Sequence, residues 1–542
     1  MKNRYTLFFA LLAGTVILLF ANVFVQQRMA ADVKENKLVD ETFAAEGTPP
    51  IVAFSTMALG GFRGLIADIL WIRAGDLQQK GKYYELVQLS DWILKLQPKF
   101  SAAASHMGWN MAYNVSVACK RPEDRWRWVR RGIQLMQDAV TMNPNDPNVY
   151  HELGWIYQHK LGNVLDDAQR YYKETMAREL MFLYGKHYPD WEAWAASPAT
   201  EEALREMFPA GHPAWLAIME YNQGDLARLF GEFRLNGGLP KELKEKLTPE
   251  DASALDYYFR RKWLKADWNV DPETILAVNR EYGELDWLLP ESYAIYWAYV
   301  GLKHTEGRDQ LPLIRMTLQS IVATFNYGRM LLPKENEVSS FFLLVPNTDV
   351  IDAARRLYKE VMQSEEYVHT PFEALYENFL IDSIVTLYTY SQKEAAANLY
   401  QELRTETKNG NSRTMTLDQF VLNEWEDDIK SGDFKQIGNE LEGLLFTSCM
   451  LIGYGDREAA ADHLALAKRV YDAYVRQHAD LDRVALPPFS EMKARTARAI
   501  IENYPPEVSN RIRAELEEDL KKQEQAAESA GGSGADQEAA GQ

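Results

Sequence analysis

Along much of this chain apolar residues recur at steps of three and four, the spacing that gathers them on one face of an α-helix. Trp126, Val129, Ile133, Met136 and Val140 form the cleanest stripe. Pro122 opens it, Glu123 and Asp124 stand where a helix N-terminus favours negative charge, and Pro144 ends it. The next helix is predicted from Pro147, with Asp146 as its cap. Tyr150, Leu153 and Tyr157 then share a face with Gly154. That glycine predicts close approach by a following helix, which carries Leu165, Ala168 and Tyr172 beyond the Gly162-Asn163 break. Upstream, Met107 to Tyr113 predicts a helix, and Ala74, Leu77, Tyr83, Leu86 and Ile93 predict a hairpin turning at Gly81 and stopping at Pro98. The distance from Pro98 to Pro144, 46 residues, predicts an insertion around 116–121.

Further along, the period fades. Between 185 and 289, Pro189, Pro198, Pro209, Pro213, Pro240 and Pro249 predict short irregular helices rich in Trp. Order returns at Pro290 with Tyr293, Tyr296, Trp297 and Val300. A unit over 371–404 would use Leu375, Phe379, Leu387, Ala395 and Leu399 as contacts, and a last hairpin pairs 434–451 with 457–474 across Gly453 and Gly455. Residues 511–525 read as a helix polar nearly all round, expected to pack weakly or to cap the fold. Residues 526–542 are Gly, Ser, Ala and acid, a composition expected to stay disordered. Alternating β-branched runs are scarce, so the expected class is all-α.

Residues 147–172, with Tyr150, Leu153, Gly154, Tyr157, Ala168 and Tyr172 in place, resemble a tetratricopeptide (TPR) repeat, and 67–98 resembles a second unit. The run from Asp286 to Ala298 is similar to one in uncharacterised, membrane-anchored bacterial proteins of TPR type. The resemblance implies an α-solenoid of antiparallel helix hairpins that binds proteins along its concave face, through exposed residues of each first helix. Asn110, Asn114, Arg127, His151 and Gln158 are the candidates for that surface.

Residues 5–25, Tyr5 to Val25, carry no charge over 21 positions, which at about 1.5 Å per residue spans a bilayer core of roughly 30 Å. A single-pass transmembrane anchor is expected in the inner (cytoplasmic) membrane. Lys2 and Arg4 favour an inside N-terminus and Arg28, Lys34 and Lys37 oppose it, so the bulk is expected to be extracytoplasmic, in the periplasm. A cleaved signal peptide is the competing reading, but Val23-Phe24-Val25-Gln26-Gln27 lacks small residues for cleavage. The predicted organisation is an anchor at 1–27, a tether at 28–50, TPR-like repeats at 51–184, the irregular Trp-rich segment at 185–289, further repeats at 290–504, and a polar helix and tail at 505–542. Within it, 51–62 is apolar but too short to span, and an interfacial or core helix is expected. The net charge of −19 argues against nucleic acid as a partner and against a body lying on anionic lipid. Cys119 and Cys449 neither demand a disulfide nor exclude an oxidising compartment, and Cys449 reads as a buried free thiol.

Chemical motifs fall short. The run 75–83 has one residue too many for a phosphate loop, and Tyr83 replaces the metal-binding hydroxyl. His151-Glu152 begins like a zinc-protease helix, but Trp155 takes the place of the second ligand. No catalytic residue, metal or cofactor is assigned. Lys120, Arg121, Arg125, Arg127, Arg130 and Arg131, interleaved with Trp126 and Trp128, are expected to meet acids on neighbouring helices. Arg127, Arg130 and Arg131 are also candidates for holding an acidic partner segment or lipid headgroups. Asp68 is expected to be half-buried and paired with an arginine. The expected function is a membrane-anchored scaffold for an unidentified protein partner in the assembly or maintenance of a cell-envelope complex. The alternative is an envelope enzyme, for example a glycan-active hydrolase, using Glu284, Asp286 or His212 in the central region, with Glu291 a further carboxylate there.

Overall fold

The computed structural model describes Val25, Arg28 and residues 63–518, except 98, 164–165, 333–341, 365–366, 368–370, 408, 432–433 and 479–484. The predicted anchor (Val25 apart), the tether (Arg28 apart), the run 51–62, Pro98, Leu165 and the tail 526–542 lie outside the described residues. Among those described, no helix is long and apolar enough to cross a membrane. The chain divides into two compact units, Met1–Ala103 and Ala104–Gln542.

In the first unit, α1 (Arg63–Gln79) and α2 (Tyr83–Leu96) form the predicted hairpin. Gly81 turns it with φ of 68°, a conformation open to glycine at little cost. Ala67, Ala74 and Leu77 of α1 and Leu86, Leu89 and Ile93 of α2 are buried. Asp68, expected to be half-buried, is exposed instead, because it falls on the outer face of α1.

Among its described residues the second unit, entered by a helix that begins at Ser101, is helical apart from one strand pair. Helix α3 (Ser101–Trp109) continues through π-helical turns at Asn110–Val115 and a last turn at Ser116–Ala118, and α4 (Pro122–Met142) follows. Where the insertion is expected, residues 116–118 continue the helix and 119–121 make the bend into α4. The stripe from Trp126 to Val140 is buried as predicted. Gly132 lets α4 cross the preceding helix closely, since a Cβ there would lie 2.7 Å from the Gly108 carbonyl oxygen.

Helix α5 (Pro147–Trp155) starts on an Asp146 cap that accepts from the Asn148 amide at 3.0 Å, and it continues as π-helix over Ile156–Leu161. Tyr150, Leu153 and Tyr157 are buried. The close approach at Gly154 is real, but its partner is not the predicted one. A Cβ there would meet Met316 Sδ at 2.7 Å and the Ala294 oxygen at 3.5 Å, both on helices far along the chain. Helix α6 (Gln169–Tyr184) packs on the π-helical turns 156–161 and on α4.

The segment expected to hold short irregular helices is a run of helices, most of them short: α7 (Trp191–Ala196), α8 (Glu201–Met207), α9 (Pro213–Asn222), α10 (Leu226–Asn236), α11 (Lys241–Lys244), α12 (Pro249–Trp268) and α13 (Pro272–Tyr282). Pro213 and Pro249 sit in first turns, where a missing N–H costs nothing, so they start helices rather than break them. Asp190, Thr200, His212, Asp225 and Thr248 supply side-chain caps. Trp191 and Trp194 meet edge-on 5.1 Å apart, and Tyr184 lies 5.2 Å from Trp191, filling the space that α7 shares with α6.

Helices α14 (Pro290–Leu302) and α15 (Leu311–Tyr327) pair, and α14 also covers α5. One short strand pair follows within a mostly helical fold that fits the expected all-α class: β1 (Arg329–Leu331) and β2 (Leu343–Val345) pair antiparallel, Arg329 opposite Val345. Helix α16 (Ile351–Gln363) leads to the hairpin of α17 (Phe372–Thr389) and α18 (Lys393–Glu406). Phe379, Leu387 and Leu399 are buried there, but Leu375 is exposed and Ala396, not Ala395, is the buried alanine. After α19 (Gly410–Thr414) and α20 (Leu417–Ser431), α21 (Phe434–Tyr454) and α22 (Arg457–Gln477) make the predicted last hairpin, turning at Gly455. Following α23 (Phe489–Asn503), a helix over 506–518 buries Val508 and Ile512 against Cys449, Ala497 and Ile500. The described part of this helix is thus packed on the core, against the weak packing that was one of its two expected roles and in keeping with a cap, the other. Cys449 is a buried free thiol, and burial pushes it up to about 12.

Candidate functional site

The two π-helical turns lie against each other, and a ladder of rings runs across them. Trp109 and Tyr113 stack at 5.3 Å, Tyr113 meets His159 at 5.7 Å, His159 stacks on Trp155 at 4.8 Å, and Trp155 on His151 at 6.2 Å. Four-residue spacing puts these rings on one face of each helix, and the Tyr113 hydroxyl lies 3.2 Å from His159 Nδ1. Trp109 is 38% exposed and the other four rings are half-buried. The result is a partly open aromatic surface. Helices with π-turns recur at functional sites because the extra residue re-aims side chains.

A buried charge cluster holds the ladder from behind. Lys160, next to His159, points its ammonium to Asp166 Oδ2 at 2.5 Å and lies 5.3 Å from the Tyr113 ring centre. Asp166 also accepts from Arg125 Nη1 at 3.3 Å, the Ala168 amide at 2.9 Å and the Tyr172 hydroxyl at 3.3 Å. Burial alone would raise its carboxyl, but Lys160 and the Ala168 amide outweigh that and hold it below the ordinary value. His159 is held below the usual histidine value by burial and then by the Lys160 charge, so it is neutral at pH 7.

Of the predicted surface residues, Asn114 and His151 belong to this region. Asn114 is half-buried and donates to Asn110 Oδ1 at 2.7 Å, while His151 is the last ring of the ladder. Asn110 is corrected: at 2% exposure it cannot meet a partner. Gln158 is spent on α15, donating to the Met316 oxygen at 3.1 Å and Ser320 Oγ at 3.0 Å. Arg130 is also turned inward, over the Trp268 ring at 3.8 Å and onto the Asp267 oxygen at 2.8 Å. Arg125 likewise meets acids, as expected of this basic stretch, whereas Arg127 and Arg131 remain exposed on α4, Arg127 bonded to Asp124. The sequence reading missed Trp109, Tyr113, Trp155 and His159, although their i, i+4 spacing was there to find.

The residues proposed for an enzyme do not gather. His212 caps α9 through Nδ1, and Glu284 accepts from Asn279 at 2.8 Å. Asp286 is fully buried, accepting from the Leu288 and Met330 amides and lying 3.1 Å from His187 Nε2. Glu291 is buried against Lys173 at 3.3 Å. Among the described residues no group of three or more His, Cys, Asp or Glu could hold a metal. An open groove of about 400 Å³ lies elsewhere, between α15, α16 and α17, with Leu318, Val322, Tyr358 and Phe379 in its lining and Arg315, Gln319 and Asn378 among its exposed groups. No protein-family model matches the chain, and no curated protein matches its sequence.

Proposed function

We propose that this protein is a membrane-anchored, TPR-type scaffold whose helical body, outside the cytoplasm, holds a protein partner in a cell-envelope complex. The observation that carries the reading is the half-open ladder from Trp109 to His151. Trp and Tyr dominate the binding energy of protein interfaces because they desolvate a large area with few rotatable bonds. Here they are already held in place by the Lys160–Asp166 cluster, so little ordering is needed on binding. The hairpins α1/α2, α17/α18 and α21/α22 support a repeat architecture, and residues 5–25 support the anchor. Asn114 and the exposed Arg127 and Arg131 supply polar contacts toward the same partner.

The test places a photo-crosslinking amino acid at position 109 or 155 in the full chain in its native envelope. One discrete adduct is expected, and the Trp109→Ala/Trp155→Ala variant should retain that partner about 30-fold less well or worse. Unchanged retention by the variant, with helix content intact, would refute the reading.

A further inference from the structure

Helix α1 carries apolar residues on its outer face as well as its inner one, with Asp68 exposed among them. Ala67, Ala74 and Leu77 face inward, yet Leu65, Ile69 and Ile72 form a stripe at i, i+4 and i+7 that is 55%, 58% and 74% exposed. Single exposed aliphatics are ordinary, but a continuous stripe of three on one helix marks a surface that something covers.

We infer that this outer face of α1 lies in the headgroup and upper acyl layer of the bilayer that residues 5–25 span, making α1 an in-plane membrane helix. The inference rests on the anchor reading above and adds a second membrane contact to it. Three observations choose lipid as the occupant. The stripe occupies the half of α1 that follows directly on the uncharged run 51–62, so 51–72 holds only Arg63 and Asp68 as charged residues over 22 positions. Residues 63–103 carry six Lys and Arg against four Asp and Glu, whereas the whole chain carries −19. This segment is therefore not repelled by anionic headgroups as the acidic body is. Tyr84 and Trp92 of α2 are 67% and 44% exposed, and these are the residue types that settle at the membrane interface. Arg73, Lys80 and Lys82 are exposed, Lys80 beside Asp76 at 2.7 Å and Lys82 beside Glu85 at 3.0 Å, and surface pairs of that kind are weak enough to exchange for headgroup phosphates.

The experiment uses the full chain, with Cys119→Ser, in vesicles of phosphatidylcholine and phosphatidylglycerol. An environment-sensitive fluorophore is attached after Ile69→Cys or, as a matched control on the acidic body, Leu235→Cys, since Leu235 is 82% exposed. Buried Cys449 stays unlabelled, which the unsubstituted background verifies. The label at position 69 should lose most of its emission to brominated lipid and resist aqueous iodide, and the label at position 235 should do the reverse. Quenching by iodide at both positions overturns the inference. So does a position-69 label shielded from both quenchers, which would mean that protein covers the stripe. Carbonate extraction of the same vesicles reports on the anchor separately. A chain that stays embedded without lipid quenching at position 69 sinks the α1 contact alone, and a chain released by carbonate removes the anchor and this inference together.

Discussion

Glu291 brings a carboxylate into a place almost without water, 2% exposed, where Lys173 meets its Oε1 at 3.3 Å and Oε2 has no hydrogen-bond partner. Lys173 also donates to the Gly162 oxygen at 3.0 Å and lies 5.3 Å from the centre of the Tyr327 ring. Removing one member of a buried pair leaves the other charge uncompensated, which costs more than the pair contributes. Glu291→Ala should therefore destabilise the protein by about 3–5 kcal/mol, and Glu291→Gln, which keeps an acceptor for Lys173, by clearly less. Urea denaturation of the two variants checks the order. Sequence shows Glu291 only as an acid in the first turn after Pro290, where a helix start explains it fully. Its burial depends on α6 arriving from more than a hundred residues upstream, and no local pattern encodes that. The same holds for Asp286 and His187.

Among the elements, those with a clear three-four period were readable: α4, α5, the α1/α2 hairpin and the α21/α22 hairpin stand where the apolar stripes put them. The central segment reads correctly as short helices, but a proline in a first turn and a proline that breaks a helix look alike in sequence, and the caps at His212 and Thr248 mark Pro213 and Pro249 as helix starts. The π-helical turns were invisible. An extra residue inside a helix leaves no compositional mark. Glycines on crossing helices were legible as close contacts but not as to their partners. Gly132→Ala drives a methyl group to 2.7 Å from the Gly108 backbone oxygen, so a loss of about 1–3 kcal/mol is expected. Gly75→Ala, in α1 with nothing within 4 Å, should instead gain about 0.5–1 kcal/mol through helix propensity. Opposite shifts of the thermal midpoint check the pair.

For the molecule as a whole, acid is the expected weak side. His106 and His159 are both held below the ordinary histidine value by burial, His159 also by Lys160, while the unfolded chain takes up these protons near about pH 6.5. The unfolded state then binds more protons, so stability is lost as pH falls through that value. Glu179 opposes this: burial raises it, and the folded protein gains its proton first. Two groups against one predict a lower urea midpoint near about pH 5.5 than at neutrality, and His106→Gln/His159→Gln should flatten the slope.

The packing of α5 under α14 and α15 also fixes an order of events during synthesis. A ribosome that has finished Gly154 has made a helix whose covering partners, Ala294 and Met316, are still more than a hundred codons away. Until they emerge, the greasy side formed by Tyr150, Leu153 and Tyr157 stands open, so the nascent chain must either stay extended or be shielded by a holdase until Met316 is translated.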